Sequence, residues 1–152
     1  MGIILSCFKG IGKTYLENTK GKEIKIVDLT ELDSNDGEFV DKVLSEAEEN
    51  DIVYVASDDA TRSALNDRNV NYDLFYPSKG RRKEFVENEV RKHSNPTAIR
   101  LLDTNFESLI DDIEEYDYDN CFKHRLGDFG QFIGNNSTLL AYIAETSKNR
   151  KK

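Results

Sequence analysis

Met1-Gly2-Ile3-Ile4-Leu5-Ser6-Cys7-Phe8-Lys9-Gly10-Ile11-Gly12-Lys13-Thr14 opens the chain. Its first half, Met1 to Ser6, is a short apolar run that predicts a buried strand. Gly10 and Gly12 then interrupt any regular element, and Tyr15-Leu16-Glu17-Asn18 can resume as a helix. The order strand, glycine-bearing loop, helix is how a βαβ unit begins.

The same alternation continues downstream. Glu23 to Asp28 reads as a second strand, and from Asp36 onward Phe39, Val40, Val43, Leu44 and Ala47 fall on one face of a helix. Ile52 to Ala56 is apolar throughout, as a strand buried on both faces must be. Ser57 or Asp58 is placed to cap a helix that turns Ala60, Thr61, Ala64 and Leu65 to one side, and Tyr72 to Tyr76 is a fourth strand ended by Pro77. Lys79 to Lys92 predicts a helix. Asn95-Pro96 supplies an N-cap and a proline at the first position of the next. Ile99, Leu102, Phe106, Leu109, Ile110 and Ile113 keep a helical period there and are expected in the core, with a break near Asn105. Cys121 to Leu126 is a fifth, weaker strand. A last helix capped at Asn135, Asn136 or Ser137 would turn Leu139, Leu140, Ile143 and Ala144 inward.

Strands separated by helical stretches imply right-handed crossovers and a mostly parallel sheet. The expectation is therefore an α/β, three-layer fold with about five strands. One domain over 1–147 is expected, with 79–100 as a lid-like helical segment and 148–152 as a basic tail. Ligands in such folds bind at the carboxyl ends of the strands.

Composition narrows the function. A charged share of 33% against 38% hydrophobic predicts a soluble protein with a modest core. The apolar runs are too short for a spanning helix or a signal peptide, so a cytoplasmic location and no membrane partner are expected. A net charge of −8 argues against a nucleic-acid partner. The charge is uneven: eight acidic residues and no Lys or Arg lie between Asp103 and Asp119, while Lys79 to Lys92 holds six basic residues against three acidic. Cys7, Cys121, His93 and His124 show no metal-ligand spacing, and reduced thiols are the simple reading.

Gly12-Lys13-Thr14 is the second half of the phosphate-loop pattern G-x-x-x-x-G-K-[ST]. That pattern uses small residues so that consecutive backbone N–H groups can turn toward phosphate oxygens. Lys9, Gly10, Ile11, Gly12, Lys13, Thr14 and Tyr15 are the expected nucleotide-binding stretch. Lys13 would reach the β- and γ-phosphates and Thr14 would place its hydroxyl on Mg²⁺. Cys7 stands where the pattern has its first glycine.

Other candidates have equally plain structural readings. Asp28 ends the second strand and is either a metal or acceptor ligand or a turn aspartate. Asp33 and Ser34 form a polar pair nearby, and Ser34 is equally an N-cap. Asp58 follows the buried third strand, where a Walker B carboxylate would sit, or simply caps a helix. Arg81, Arg82 and Arg91 are suited to stabilising transferred phosphate, with Arg100 following, or else form a solvated face paired with Glu84, Glu87 and Glu89. On a regular helix Arg82 and Arg91 point nearly oppositely. His93 and His124 sit beside no nucleophile.

With Phe8-Lys9-Gly10-Ile11-Gly12-Lys13-Thr14 after a first strand, Val27-Asp28-Leu29 ending the second, Asp51-Ile52-Val53-Tyr54-Val55 as the third and Tyr76-Pro77 ahead of an Arg-rich helix, the chain resembles small phage-type P-loop nucleotide kinases. These look like trimmed relatives of adenylate kinase. The resemblance implies ATP and Mg²⁺ as donor and a nucleoside or deoxynucleoside monophosphate as acceptor. It leaves Lys79 to Arg100 as a minimal lid, and the leading expectation is a kinase in which Lys13 and Arg81, Arg82 or Arg91 are catalytic while Thr14 and Asp28 hold the metal. The alternative is a non-catalytic, degenerate P-loop protein that sequesters a nucleotide or docks on a host protein.

Overall fold

A computed structural model describes residues 2–11 and 25–127. Five strands, β1 (Ile3–Cys7), β2 (Ile26–Asp28), β3 (Ile52–Ala56), β4 (Tyr72–Pro77) and β5 (Cys121–Leu126), form one sheet in the order β2-β3-β1-β4-β5. Every neighbouring pair is parallel. The described helices are α1 (Phe39–Glu49), α2 (Asp59–Asp67), α3 (Arg82–Arg91) and α4 (Pro96–Glu115). The chain is thus an α/β protein with an all-parallel sheet. The expected helix from Asn135 onward lies outside the described residues.

The steps β2 to β3, β3 to β4 and β4 to β5 all move the same way across the sheet, so right-handed crossovers place their helices on one face. Side chains tie that layer together. Arg68 of the α2 C-cap pairs with Asp41 of α1 at 3.0 Å, Arg62 donates to the Asp112 carbonyl of α4 at 3.3 Å, and Arg82 of α3 lies 3.6 Å from Asp103 of α4. Leu5, Tyr54 and Phe75 point to the opposite face and are also fully buried. Burial on both faces explains why β3 reads as a continuous apolar run and why β1 and β4 are apolar apart from the buried Ser6 and Asp73, and it is compatible with three layers.

Local signals acted where expected. The Asp58 carboxylate accepts from Thr61 N–H at 3.2 Å, and the Asn95 side chain accepts from Thr97 and Ala98 N–H at 2.8 and 3.4 Å. Three expectations are corrected. Ser34 does not cap α1, whose N-cap is Glu38, with Asp36 accepting the Glu38 N–H at 2.9 Å. The break near Asn105 is absent, because Phe106 and Ile110 seat α4 continuously in the core. Leu109 is 39% exposed, lying off the arc that buries Leu102, Phe106, Ile110 and Ile113.

Residues 79–100, expected as a lid-like segment, begin with a 3₁₀ turn (Lys79–Arg81) and continue into α3, whose Phe85 is in the same core. α3 ends in a Schellman turn: Ser94 N–H reaches the Glu89 carbonyl at 3.2 Å and His93 N–H the Val90 carbonyl at 3.0 Å. His93 occupies the left-handed position at φ 56°, where a side chain costs energy that glycine avoids. His93→Gly is therefore expected to stabilise the protein by about 0.5–1 kcal/mol, read as a raised urea midpoint at constant slope; an unchanged or lowered midpoint would refute the cap assignment.

Candidate functional site

The sheet order contains one reversal of direction. From β1 the chain passes β3 to reach β2, whereas from β3 it passes β1 to reach β4. The reversal falls between β1 and β3, and the crevice at the carboxyl ends of such a strand pair is where open α/β sheets bind ligands. Cys7 and Ala56, the last residues of the two strands, are register partners there. The Ser6 hydroxyl donates to the Ala56 carbonyl at 2.7 Å and fastens the two ends together.

The residues after β1 turn sharply at this edge. Phe8 N–H extends the ladder to the Phe75 carbonyl at 3.0 Å, and Ile11 N–H closes a four-residue turn onto the Phe8 carbonyl at 3.1 Å. Gly10 holds the third position at φ 88°, the sign a type II turn demands. Phe8 and Ile11 are buried while Lys9 is exposed. Beneath the turn, Phe8, Phe85 and Phe106 form a three-ring cluster with centroids 5.4 to 6.0 Å apart and edge-to-face tilts; each such pair adds about 0.5–1.5 kcal/mol beyond its burial. Gly12, Lys13, Thr14 and Tyr15, which follow directly, lie outside the described residues. Cys7 is buried in the strand, its thiol 3.5 Å from the Leu5 carbonyl.

The other candidates are dispersed. Asp28 sits at the carboxyl end of β2, with its Oδ1 accepting from the Thr30 N–H and hydroxyl at 2.9 and 2.6 Å, an Asx turn. Asp33 likewise accepts from Asn35 N–H at 2.9 Å. Asp58 is engaged in its cap, and the Ser57 carbonyl beside it accepts from Arg62 Nε at 3.0 Å.

Arg81 is 4% exposed: Nε and Nη2 bind Glu84 at 2.7 and 2.8 Å, Nη1 reaches the Leu126 carbonyl at 2.9 Å, and the guanidinium lies 5.0 Å from the centroid of the Phe85 ring. Arg82 and Arg91 are exposed, paired with Asp103 at 3.6 Å and with Glu87 at 3.9 Å. The fold thus puts the β1 turn and the Ser57–Asp58 corner on the crevice. It holds Arg81 inside the body and leaves Arg82 and Arg91 at opposite ends of α3.

Sequence reasoning missed two buried acids and a dyad. Glu84 and Glu89 looked like solvated helix partners, but Glu89 is buried and Glu84 keeps only 8% of its side chain exposed, because α3 packs two of its faces. Asp73, 2% exposed, meets His124 Nε2 at 2.8 Å, and that imidazole stacks on Phe75 with centroids 4.8 Å apart. Only the β4–β5 register makes them neighbours. Nearer the edge, burial and the Glu114 carboxylate push the Tyr76 phenol up to about 12, keeping it a neutral donor to Glu114 at 3.1 Å. Burial also pushes the Cys121 thiol up, which disfavours a nucleophilic thiolate.

No group of three or more metal-ligating side chains occurs among the described residues, and no described helix is long and apolar enough to cross a membrane. No protein-family model, curated protein or solved structure matches the chain.

Proposed function

We propose that this protein binds a nucleoside triphosphate with Mg²⁺ at the carboxyl edge of β1 and transfers the γ-phosphoryl group to a nucleoside or deoxynucleoside monophosphate. One observation carries the reading: a positive-φ glycine turn leaves β1 at the sheet's reversal point, and Gly12-Lys13-Thr14 follows it immediately. A helix entered from such a turn offers inward N–H groups and a partial positive charge to phosphate. Lys13 then contacts the β- and γ-phosphates, and Thr14, helped by Asp28 at the carboxyl end of β2 on the far side of β3, holds the metal. Of the three candidate arginines, Arg82 and Arg91 are the exposed ones left for the phosphates, while Arg81, locked on Glu84, supports α3.

A second reading, a nucleotide-binding protein without turnover, is favoured by how the remaining polar groups are engaged. Asp58 caps α2, Arg81 is locked on Glu84, and Cys7 is buried in the position of the pattern's first glycine. Both readings expect ATP to bind, and they separate on chemistry. The deciding experiment is calorimetric titration with ATP and Mg²⁺, followed in the same samples by ADP release against a panel of nucleoside monophosphates. Binding with acceptor-dependent ADP release is expected. Binding without release selects the second reading, and absence of binding eliminates both.

A further inference from the structure

We propose that Glu89 is a positioning residue for the phosphate loop, an inference that rests on the nucleotide-binding reading above. Phe85 and Glu89 stand one turn apart on α3, and together they form the wall behind Gly10. A Cβ added to Gly10 would lie 3.3 Å from Phe85 Cδ2 and 3.4 Å from Glu89 Oε1, so the loop backbone is seated flush on both side chains. Glu89 is only 4% exposed, and leaving a carboxylate in such a place is costly unless it is held.

It is held at one oxygen. The Ser94 hydroxyl donates to Oε2 at 2.6 Å, and Ser94 is itself fixed by the Schellman turn that ends α3. The other oxygen, Oε1, faces Gly10 and has Lys92 Nζ at 3.7 Å. A side chain pinned at one end by the helix terminus therefore presents a fixed surface to the residue that bends the chain toward Gly12-Lys13-Thr14. A loop already bent in the free protein does not have to be ordered when the phosphates arrive, and that preorganisation appears as affinity.

The test compares Glu89→Ala, Glu89→Gln and the unaltered chain by two readouts: amide hydrogen exchange across Lys9–Ile11 without nucleotide, and calorimetric affinity for ATP with Mg²⁺. Glu89→Ala is expected to speed exchange at Lys9–Ile11 while leaving Ile52–Ala56 unchanged, and to weaken ATP binding about tenfold. Glu89→Gln, which keeps the shape and the acceptor for Ser94, is expected to restore both.

Unchanged exchange at Lys9–Ile11 overturns the proposal. So does faster exchange throughout the sheet, which would mark a purely structural role, and so does unaltered ATP affinity beside a loosened loop. If Glu89→Ala does not fold, Ser94→Ala removes the anchor alone and is judged by the same criteria. Local loosening in a protein whose unaltered form binds no ATP keeps the seat of the loop but refutes the nucleotide-binding reading, which separates the two failures.

Discussion

Arg81→Ala lowers the free energy of unfolding by about 3–5 kcal/mol, the loss expected when one partner of a buried ion pair is removed. Arg81 and Glu84 side chains are 4% and 8% exposed, and their two contacts at 2.7 and 2.8 Å are the bidentate geometry that guanidinium and carboxylate favour. Without Arg81, the Glu84 charge stays buried and the Leu126 carbonyl loses its 2.9 Å donor. The Phe85 ring loses its cation as well.

Urea unfolding of the single variant, of Glu84→Ala and of the Arg81→Met, Glu84→Leu pair distinguishes charge from packing. Each single alanine is expected to be strongly destabilised, and the apolar pair to recover most of the loss, because removing both charges leaves no uncompensated one. A loss under about 1 kcal/mol in Arg81→Ala would mean that the pair is screened like a surface bridge, and Arg81 would again be available to a ligand.

Lys13→Ala weakens ATP binding about 100-fold, since a charge-assisted contact to phosphate contributes about 1.5–3 kcal/mol and each 1.4 kcal/mol is tenfold. The contacts that hold β1, the Phe8–Ile11 turn and the three-ring cluster are made by other residues, so the thermal midpoint without nucleotide is expected to stay where it was. Calorimetry on both proteins, paired with thermal unfolding, checks the two halves. Equal ATP affinity would remove the basis for assigning Gly12-Lys13-Thr14 to phosphate. A large fall in midpoint would instead assign Lys13 to the fold.

The elements were largely legible because their signals are local. A fully apolar Ile52–Ala56, the Asn95-Pro96 start and the Asp58 cap depend on residues within a few positions of one another, and the strand and helix formed there accordingly. The parallel sheet was legible too, from alternation alone.

The candidate site was proposed from sequence as a stretch, Lys9 to Tyr15, because the phosphate-loop pattern is contiguous in the chain, and the described residues reach only its first part, Lys9 to Ile11. Tertiary structure decided the rest. Whether Glu84 and Glu89 face water or protein, whether Arg81 is bound within the body, and that Asp73 should meet His124 depend on which surfaces α3 and β5 turn to their neighbours. Helical spacing reports that a face exists, but only packing says what covers it. A carboxylate or guanidinium carries the same sequence signal whether solvent or a buried partner satisfies its charge.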